Sequence, residues 1–320
     1  MRIGDVYAGV DLGGTNIKSG LLTDAGEVIA EKATDTEAEG GVTHVLDRMA
    51  DLVSELMESA GSQFRVVGVG VGVPGQVDVR VGAVREPPNL PGWIEVKVES
   101  EMKKRLDLPI SVDNDANAAA LGEFAYGAGR GVTEMLMVTL GTGVGGGLIL
   151  RGEVYRGAVG AAAEFGHVIV QRYGWVCGCG RKGCVEAYVG TRGILRFVEE
   201  KLRSGRESLL KDVEPEGMTP KVIFKAASRG DEVAVEVFRE VGEYLGVGLG
   251  SVANLLNIER VVIGGGVAKA GEFIFGPTRR SLAETALAVS RDVIDVVPAA
   301  LGERAGFIGA ARLAILKSKE

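Results

Sequence analysis

Two stretches of the chain share one pattern that indicates the fold class: VDLGGTNIKSGLL at residues 10–22 and VTLGTGVGGGLIL at residues 138–150. Each reads as an apolar strand, a turn beginning with leucine and glycine, and a second apolar strand. Two unrelated hairpins would also give this pattern, but each copy opens a run of alternating strands and helices. The sequence therefore predicts a duplicated α/β domain.

The elements around these hairpins are visible as periodic apolar residues. Residues 42–56 repeat apolar positions every three or four residues, which predicts an amphipathic helix. Residues 66–73 alternate valine with glycine, which predicts a buried strand with another backbone or a ligand pressed against it. Towards the C-terminus we predict a long helix over 231–257, a strand over 259–263 and a last helix over 305–317.

Composition excludes several classes of protein. The 320 residues are 46% hydrophobic and 25% charged, which indicates a globular protein, and the length predicts about two domains. The 36 Lys and Arg against 43 Asp and Glu leave a net charge of −7, which argues against nucleic-acid binding. The longest uncharged run, residues 135–150, is too short to cross a bilayer, and the N-terminus has no apolar signal segment. We therefore expect a cytoplasmic protein that binds neither nucleic acid nor membrane.

Glycines that follow strand ends predict a phosphate site. At Gly13-Gly14-Thr15, backbone N–H groups can approach an anion, Asn16 adds a side-chain donor, and Asp11 could hold Mg²⁺. Residues 141–143 could bind the same polyphosphate, and residues 264–266 could pass beneath an adenosine. The turn leads into a strand rather than a helix, so it is neither a P-loop nor a dinucleotide fingerprint. A purely structural hairpin is the alternative.

The cysteines fall within eight residues, close after a histidine. His167, Cys177, Cys179 and Cys184 supply one imidazole and three thiolates, the ligand set of a closed tetrahedral zinc site. The C-x-C spacing differs from the commoner spacing of zinc fingers, and an odd cysteine count argues against a disulfide framework. We predict structural zinc; the alternative is a set of buried or redox-active cysteines beside an unrelated histidine.

Acidic residues cluster near the same places. Asp115 follows a predicted strand and opens a predicted helix, so it could simply be an N-cap. Glu164 precedes His167 by three residues, and Glu186 follows Cys184 by two. Zinc at the cysteine loop would fix both glutamates in one neighbourhood, whereas ordinary surface glutamates are the alternative.

These motifs resemble the signature of the ROK family of sugar kinases and repressors. The resemblance rests on EFGH at 164–167 and CGCGRKGCVE at 177–186, with DLGGTN, DND, LGTGVGGG and IGGG in the family's order over essentially the whole chain. It implies an α/β fold of the actin-like ATPase (ribonuclease H-like) type, with duplicated domains and an interdomain cleft. The expected domains are residues 1–115 and a larger 116–303 carrying the zinc, with a helix over 304–320 packing back on the first.

The resemblance also implies the roles of individual residues. Asp115 is expected to be the catalytic base. The expected sugar ligands are Gly75, Asn89, Asn114, Asp115, Glu164, His167 and Glu186. The expected nucleotide ligands are Asp11, Gly13, Gly14, Thr15, Asn16, Lys18, Gly141, Thr142, Gly143, Gly264, Gly265 and Gly266. Ala163 departs from the family, many members of which have glycine there; we expect the extra methyl group to leave activity intact.

The implied reaction is ATP- and Mg²⁺-dependent phosphorylation of a hexose. Glucose is the first expectation because NLPGW at 89–93 resembles the sugar loop of glucokinase-like members. The sugar hydroxyl would lie between Asp115 and the γ-phosphate, with His167 bridging zinc and sugar. N-acetylmannosamine, fructose or mannose as substrate and polyphosphate as donor remain open. A non-catalytic sugar-responsive regulator is also open, although Asp11 comes too early to leave room for the helix-turn-helix domain of such members. Family habit suggests a homodimer or a dimer of dimers.

Overall fold

A computed structural model describes residues 4–85, 87 and 89–319. The chain forms two compact units. Unit 1 contains the described residues up to Thr133, together with Gly147–Ala163 and the residues from Ala300 onward; unit 2 contains Glu134–Gly146 and Glu164–Ala299. Within the described ranges, no helix combines the length and the apolar character needed to cross a membrane.

The first eight strands form two sheets. They are β1 (Gly4–Leu12), β2 (Asn16–Leu22), β3 (Val28–Asp35), β4 (Phe64–Val73), β5 (Gln76–Asp78), β6 (Ala83–Arg85), β7 (Val96–Lys97) and β8 (Ile110–Asn114). The larger sheet has the order β3-β2-β1-β4-β8, and the smaller has the order β5-β6-β7. β1 is antiparallel to β2 and parallel to β4, which is parallel to β8.

The remaining strands repeat this topology. They are β9 (Met135–Leu140), β10 (Val144–Leu150), β11 (Glu153–Val154), β12 (Arg260–Gly264) and β13 (Asp295–Pro298). Their order is β11-β10-β9-β12-β13, and β12 is parallel to both of its neighbours. The two larger sheets therefore match strand for strand, which confirms the duplicated α/β fold.

The helices predicted over 42–56, 231–257 and 305–317 are present among the α-helices. The α-helices are α1 (Gly41–Ala60), α2 (Val98–Leu106), α3 (Asp115–Tyr126), α4 (Val185–Val189), α5 (Thr191–Arg203), α6 (Pro220–Ala227), α7 (Glu232–Leu256), α8 (Glu272–Thr285), α9 (Ala288–Arg291) and α10 (Ala305–Lys317). In α1, the residues at three- and four-residue spacing, among them Val45, Met49 and Val53, are buried against the first sheet, as the periodicity predicts.

The glycine-interleaved strand β4 is covered by α10. A Cβ at position 70 would overlap the carbonyl oxygen of Ala310, and one at position 9 of β1 would overlap the carbonyl oxygen of Phe307. Glycine at both positions lets the helix backbone touch the sheet backbone. The predicted close approach of a second backbone to this strand is confirmed.

The units divide the chain differently from the expected boundary at residue 115. α3 belongs to unit 1 because it packs on α10: a Cβ at Gly309 would overlap the carbonyl oxygen of Ala118, and Gly122 lies against Ala305. Residues 147–163, which contain most of β10 and all of β11, belong to unit 1 as well. α10 packs against β1, β4 and α3.

Candidate active site

Two carboxylates of unit 1 lie at the carboxyl ends of strands. Asp11 is near the end of β1, and Asp115 directly follows β8. The pKa of Asp11 is raised to about 6: burial is the largest cause, the negative charge of Asp115 adds to it, and Lys18 opposes the shift. The two groups therefore share one environment in which a second negative charge is unfavourable. Such a place favours a cation.

The surroundings of Asp11 come from β2 and α10. Lys18 faces Asp11 across the β1–β2 pair, and its ammonium lies 3.0 Å from a carboxylate oxygen of Glu303. A Cβ at position 306, in the first turn of α10, would overlap the Asp11 carboxylate, so glycine there lets the carboxylate come close to the helix. The carboxylate thus approaches the positive end of the α10 dipole.

The first glycine turn is held by its own backbone and by one threonine. The N–H of Gly13 donates to the Asn16 carbonyl at 2.9 Å, and the hydroxyl of Thr36 donates to the Gly13 carbonyl at 2.7 Å. Asn89 packs against Gly14, so the structure brings together a predicted sugar ligand and a predicted phosphate ligand. Thr15 and Asn16 are exposed.

Asn114, not Asp115, caps α3. Its side-chain oxygen accepts the N–H groups of Ala116 at 2.9 Å and Asn117 at 3.2 Å. Its amide nitrogen donates to the Gly75 carbonyl at 2.9 Å, which ties the predicted sugar ligands Gly75 and Asn114 to each other. Asp115 is the first residue of the helix and is half-buried.

The cysteines and histidine of unit 2 converge as predicted. The ligand atoms of His167, Cys177, Cys179 and Cys184 all lie within 4.8 Å of one another. The Cys179 and Cys184 sulfurs are 3.7 Å apart, and the Cys177 sulfur is 3.7 Å from His167 Nδ1. Ligands around one tetrahedral zinc ion lie about 3.5–3.8 Å apart, since Zn–S is about 2.3 Å and Zn–N about 2.0 Å. Both the donor set and these spacings fit such an ion.

Backbone hydrogen bonds between residues close in sequence shape the cysteine loop. The N–H of Cys177 donates to the Arg181 carbonyl at 2.8 Å, and the N–H of Gly180 donates to the Cys177 carbonyl at 3.0 Å. Burial raises the pKa of the Cys177 thiol to about 12, whereas the backbone N–H of Arg181 lowers the pKa of Cys179 to about 7. Metal binding to such a cluster displaces thiol protons.

Glu186 joins the cysteine loop to the second glycine turn. One carboxylate oxygen lies 3.3 Å from the Cys177 sulfur, and the other accepts the N–H of Val144 at 3.0 Å, beside Gly143. Glu164 is exposed, and its carbonyl accepts the N–H of His167 at 3.0 Å. The predicted neighbourhood of Glu186 and the cysteines is therefore present.

The second and third glycine segments also meet within unit 2. The N–H of Gly141 donates to the Gly143 carbonyl at 3.0 Å, and Thr142 is exposed. Gly265 has φ +90, and a Cβ there would overlap the Leu140 carbonyl, so residues 264–266 lie against the start of the turn. Glycine is required at 265 on both grounds.

The expected ligands fall into two groups. Unit 1 holds Asp11, Gly13, Gly14, Thr15, Asn16, Lys18, Gly75, Asn89, Asn114 and Asp115, whereas unit 2 holds the glycine segments 141–143 and 264–266 with Glu164, His167, Glu186 and the cysteines. Sequence reasoning missed the partners of Asp113, which are Asn117 and Arg156. The DND motif named Asp113, but no local pattern connects it to an arginine 43 residues away.

Comparison with known proteins places these motifs in a family. The family model described as ROK family matches residues 7–317. A glucokinase of Thermotoga maritima is 37% identical over 307 residues, which cover 95% of this chain and 96% of that protein. A xylose repressor of Caldicellulosiruptor bescii is 30% identical over 309 residues, which cover 96% of this chain and 77% of the repressor.

A solved structure agrees with the sequence comparison. The crystal structure of a ROK family glucokinase from Streptomyces griseus, in complex with glucose and AMPPNP, is 36% identical and superposes with a TM-score of 0.83. The match covers 97% of this chain and 99% of that chain. The duplicated α/β fold is therefore the actin-like ATPase fold, and the chain belongs to the ROK family.

Proposed function

We propose that this protein is a glucokinase, which transfers the γ-phosphoryl group of ATP to a hydroxyl group of glucose. The observation that carries the proposal is the carboxylate pair Asp11 and Asp115, beside a glycine turn, in a chain that is 35–38% identical to curated glucokinases over 95–96% of its length. A lone sugar-binding module would need neither this pair nor the glycine turns.

Asp115 is the proposed general base. Because Asn114 supplies the cap of α3, Asp115 is not needed as the N-cap. The transition state of phosphoryl transfer is loose and needs little early deprotonation, so a carboxylate is basic enough to accept the proton of the sugar hydroxyl as transfer proceeds.

The proposed sugar ligands are Gly75, Asn89, Asn114, Asp115, Glu164, His167 and Glu186. His167 directs Nδ1 toward Cys177, so Nε2 is the ring nitrogen proposed to bind a sugar hydroxyl. Glu186 contacts the cysteine loop directly, which would make sugar affinity depend on the order of that loop.

We propose zinc as the ion held by His167 and the three cysteines. The ligand spacings support a four-coordinate site with no position left for substrate. Zinc there would supply no reacting centre; it would fix the tautomer and orientation of His167.

Nucleotide and Mg²⁺ are proposed to bind at the strand ends. Asp11 would hold Mg²⁺, whose charge offsets the developing negative charge on the phosphates. The proposed phosphate and adenosine contacts are Gly13, Gly14, Thr15, Asn16, Lys18, Gly141, Thr142, Gly143, Gly264, Gly265 and Gly266.

The test is ADP release from MgATP with glucose, mannose, fructose, N-acetylglucosamine and N-acetylmannosamine in turn, and with polyphosphate as an alternative donor. We expect kcat/KM for glucose well above the values for the other sugars. Preference for another hexose would change the proposed substrate but leave the proposed sugar kinase activity in place. Binding of a sugar without turnover on any donor would favour a sugar-responsive regulator, a function suggested by the similarity to the xylose repressor.

We further propose a cytoplasmic homo-oligomer, a dimer or tetramer. The acidic net charge of −7 supports a protein without nucleic-acid partners. Sedimentation equilibrium at several protein concentrations tests the oligomeric state, and a single monomeric species would contradict it.

A further inference from the structure

Asp113 is a buried carboxylate whose oxygens are both occupied. It is 1% exposed. Oδ1 accepts the N–H of Asn114 at 2.8 Å and the side-chain nitrogen of Asn117 at 3.0 Å. Oδ2 lies 2.8 Å from Arg156 Nε and 2.6 Å from Nη2. A buried charge needs such compensation, and a carboxylate so engaged is suited to holding its neighbours rather than to moving a proton.

The two residues that donate hydrogen bonds to Asp113 Oδ1 flank the residue proposed as the base. Asn114 precedes Asp115 and Asn117 follows it by two positions, and Oδ1 of Asp113 binds both. The amide of Asn114 is itself fixed between the start of α3 and the Gly75 carbonyl. The backbone that carries Asp115 is therefore held through Asp113.

Arg156 reaches Asp113 from a different part of unit 1. It lies two residues beyond the edge strand β11, and its Nη1 donates to the Val154 carbonyl at 3.4 Å. Its own carbonyl accepts the N–H of Ala162 at 3.2 Å, which closes the segment from 156 to 162 into a loop. The Arg156 side chain is two-thirds buried. Its position is thus set by backbone structure independent of α3.

We propose that Arg156, acting through Asp113, is a positioning residue for Asp115 in phosphoryl transfer; this rests on the proposed function. Two N–H groups of one planar guanidinium converge on Oδ2, and a third donor binds Val154, which fixes the carboxylate in orientation as well as in place. A lysine ammonium would keep the charge but lose this fork. The arginine therefore orients the turn in which the base sits.

The chain contains a matched control. Arg65 also directs Nε and Nη2 to one oxygen, that of Asp5, at 3.0 and 2.8 Å, and links β1 with β4 in unit 1. That pair is largely exposed and lies at the opposite ends of the strands from Asp11. Arg65→Gln removes the same fork without touching the turn of Asp115.

The experiment compares Arg156→Gln, Arg156→Lys, Asp113→Asn and Arg65→Gln with the unsubstituted protein. We measure kcat, KM for ATP, the glucose dissociation constant with its stoichiometry, and Tm. We expect kcat of Arg156→Gln, per glucose-binding chain, to fall roughly 100-fold, because a base misplaced by about 1 Å costs on that order. KM for ATP should stay within about threefold. Arg156→Lys should recover part of kcat, and Arg65→Gln should keep all of it.

Several outcomes would overturn the inference. One is a lower Tm of Arg156→Gln with unchanged kcat per glucose-binding chain, which would make the pair purely stabilising. If Arg156→Gln does not fold, the double variant Asp113→Asn/Arg156→Gln removes the buried charge; we expect it to fold and to be slow, and normal kcat there would contradict us. A lack of turnover by the unsubstituted protein with every sugar would instead remove the proposed function.

Discussion

The two glycine-rich hairpins, β1–β2 and β9–β10, occupy equivalent places in their sheets. The carboxylate beside each hairpin comes from a different kind of element. In the first hairpin the acid is part of the strand itself, Asp11. In the second, the equivalent strand position is Thr139, and the carboxylate comes from Glu186 in α4, which binds the N–H of Val144.

The two hairpins therefore share a backbone topology but differ in the groups that surround each carboxylate. Asp11 is surrounded by protein groups and a second carboxylate, and its pKa is raised to about 6. Glu186 contacts Cys177, so its place depends on the cysteine cluster. The first hairpin should therefore respond to charge and pH, and the second to metal.

The largest effect should come from Asp115, beside the first hairpin. Asp115→Asn removes the proposed base, so kcat should fall by about 10²–10⁴-fold while glucose affinity largely persists. Steady-state kinetics and glucose calorimetry measure the two effects. Glu186→Gln is the comparison at the second hairpin, because Glu186 of α4 binds the N–H of Val144; this variant should chiefly weaken glucose affinity. A similar loss of kcat in both variants, with glucose affinity kept, would erase the distinction.

Metal dependence should belong to the second hairpin. Cys179→Ser removes one of four ligands, so zinc content should fall and glucose affinity should weaken by about 10–100-fold through His167 and Glu186. Elemental analysis and glucose titration provide the measurement, with Ser208→Ala as a control away from the cluster. Full glucose affinity in metal-free protein would refute the link.

A smaller effect concerns stability and is confined to the first hairpin. The pKa of Asp11 is about 6 in the folded protein against 3.8 in the unfolded chain, so its ionised form is disfavoured by folding. This cost is fully present above about pH 6 and absent below about pH 4. Without nucleotide and Mg²⁺, Asp11→Asn should raise Tm by roughly 2–4 °C at about pH 7.5, and this gain should disappear at about pH 4.

Asp78 provides the control of opposite sign. Its hydrogen bonds to Arg80 lower its pKa to about 2, so its ionised form is favoured by folding. Asp78→Asn should not raise Tm at neutral pH. Equal Tm gains for both variants would show that the Asp11 environment is not special.

The smallest effect is expected at Ala163, the last residue of unit 1 before the chain enters unit 2. Its φ of +62 strains a residue with a Cβ by about 1 kcal/mol, and Ala163→Gly relieves this strain. Glycine also gives the unfolded chain more conformational entropy, which lowers the free energy of unfolding by a similar amount. Tm and kcat should therefore hardly change. Gly157→Ala, at φ +70, is the reverse substitution and should lower Tm. A large kcat change in Ala163→Gly would contradict this expectation.

Much of the fold follows from periodicity alone. The helix predicted over 305–317 has those bounds in the structure. Thr219 is the N-cap of α6 and Pro220 is its first residue, which agrees with the residue preferences of helix N-termini. The place of α3 in unit 1 could not be found this way, because α3 joins that unit through glycine contacts with α10, far away in sequence.

The site was predictable where its ligands are close in sequence. The three cysteines and His167 lie within eighteen residues, and their spacing alone indicated a cluster. Asn114 and Asp115 are both good N-cap residues, so only coordinates distinguish the cap from the neighbouring carboxylate. Arg156 has no sequence signal because its partner Asp113 lies 43 residues away along the chain.

The seating of α10 on Gly9 and Gly70 has a consequence for how the protein is made. β1 is synthesised long before α10, the helix that covers β1 and β4, because about 290 residues separate them. Until then, the apolar face of the sheet that receives Phe307 and Ile308 stays uncovered. Unit 1 should therefore complete its folding after synthesis of unit 2, and chains stalled before residue 305 should aggregate or recruit chaperones.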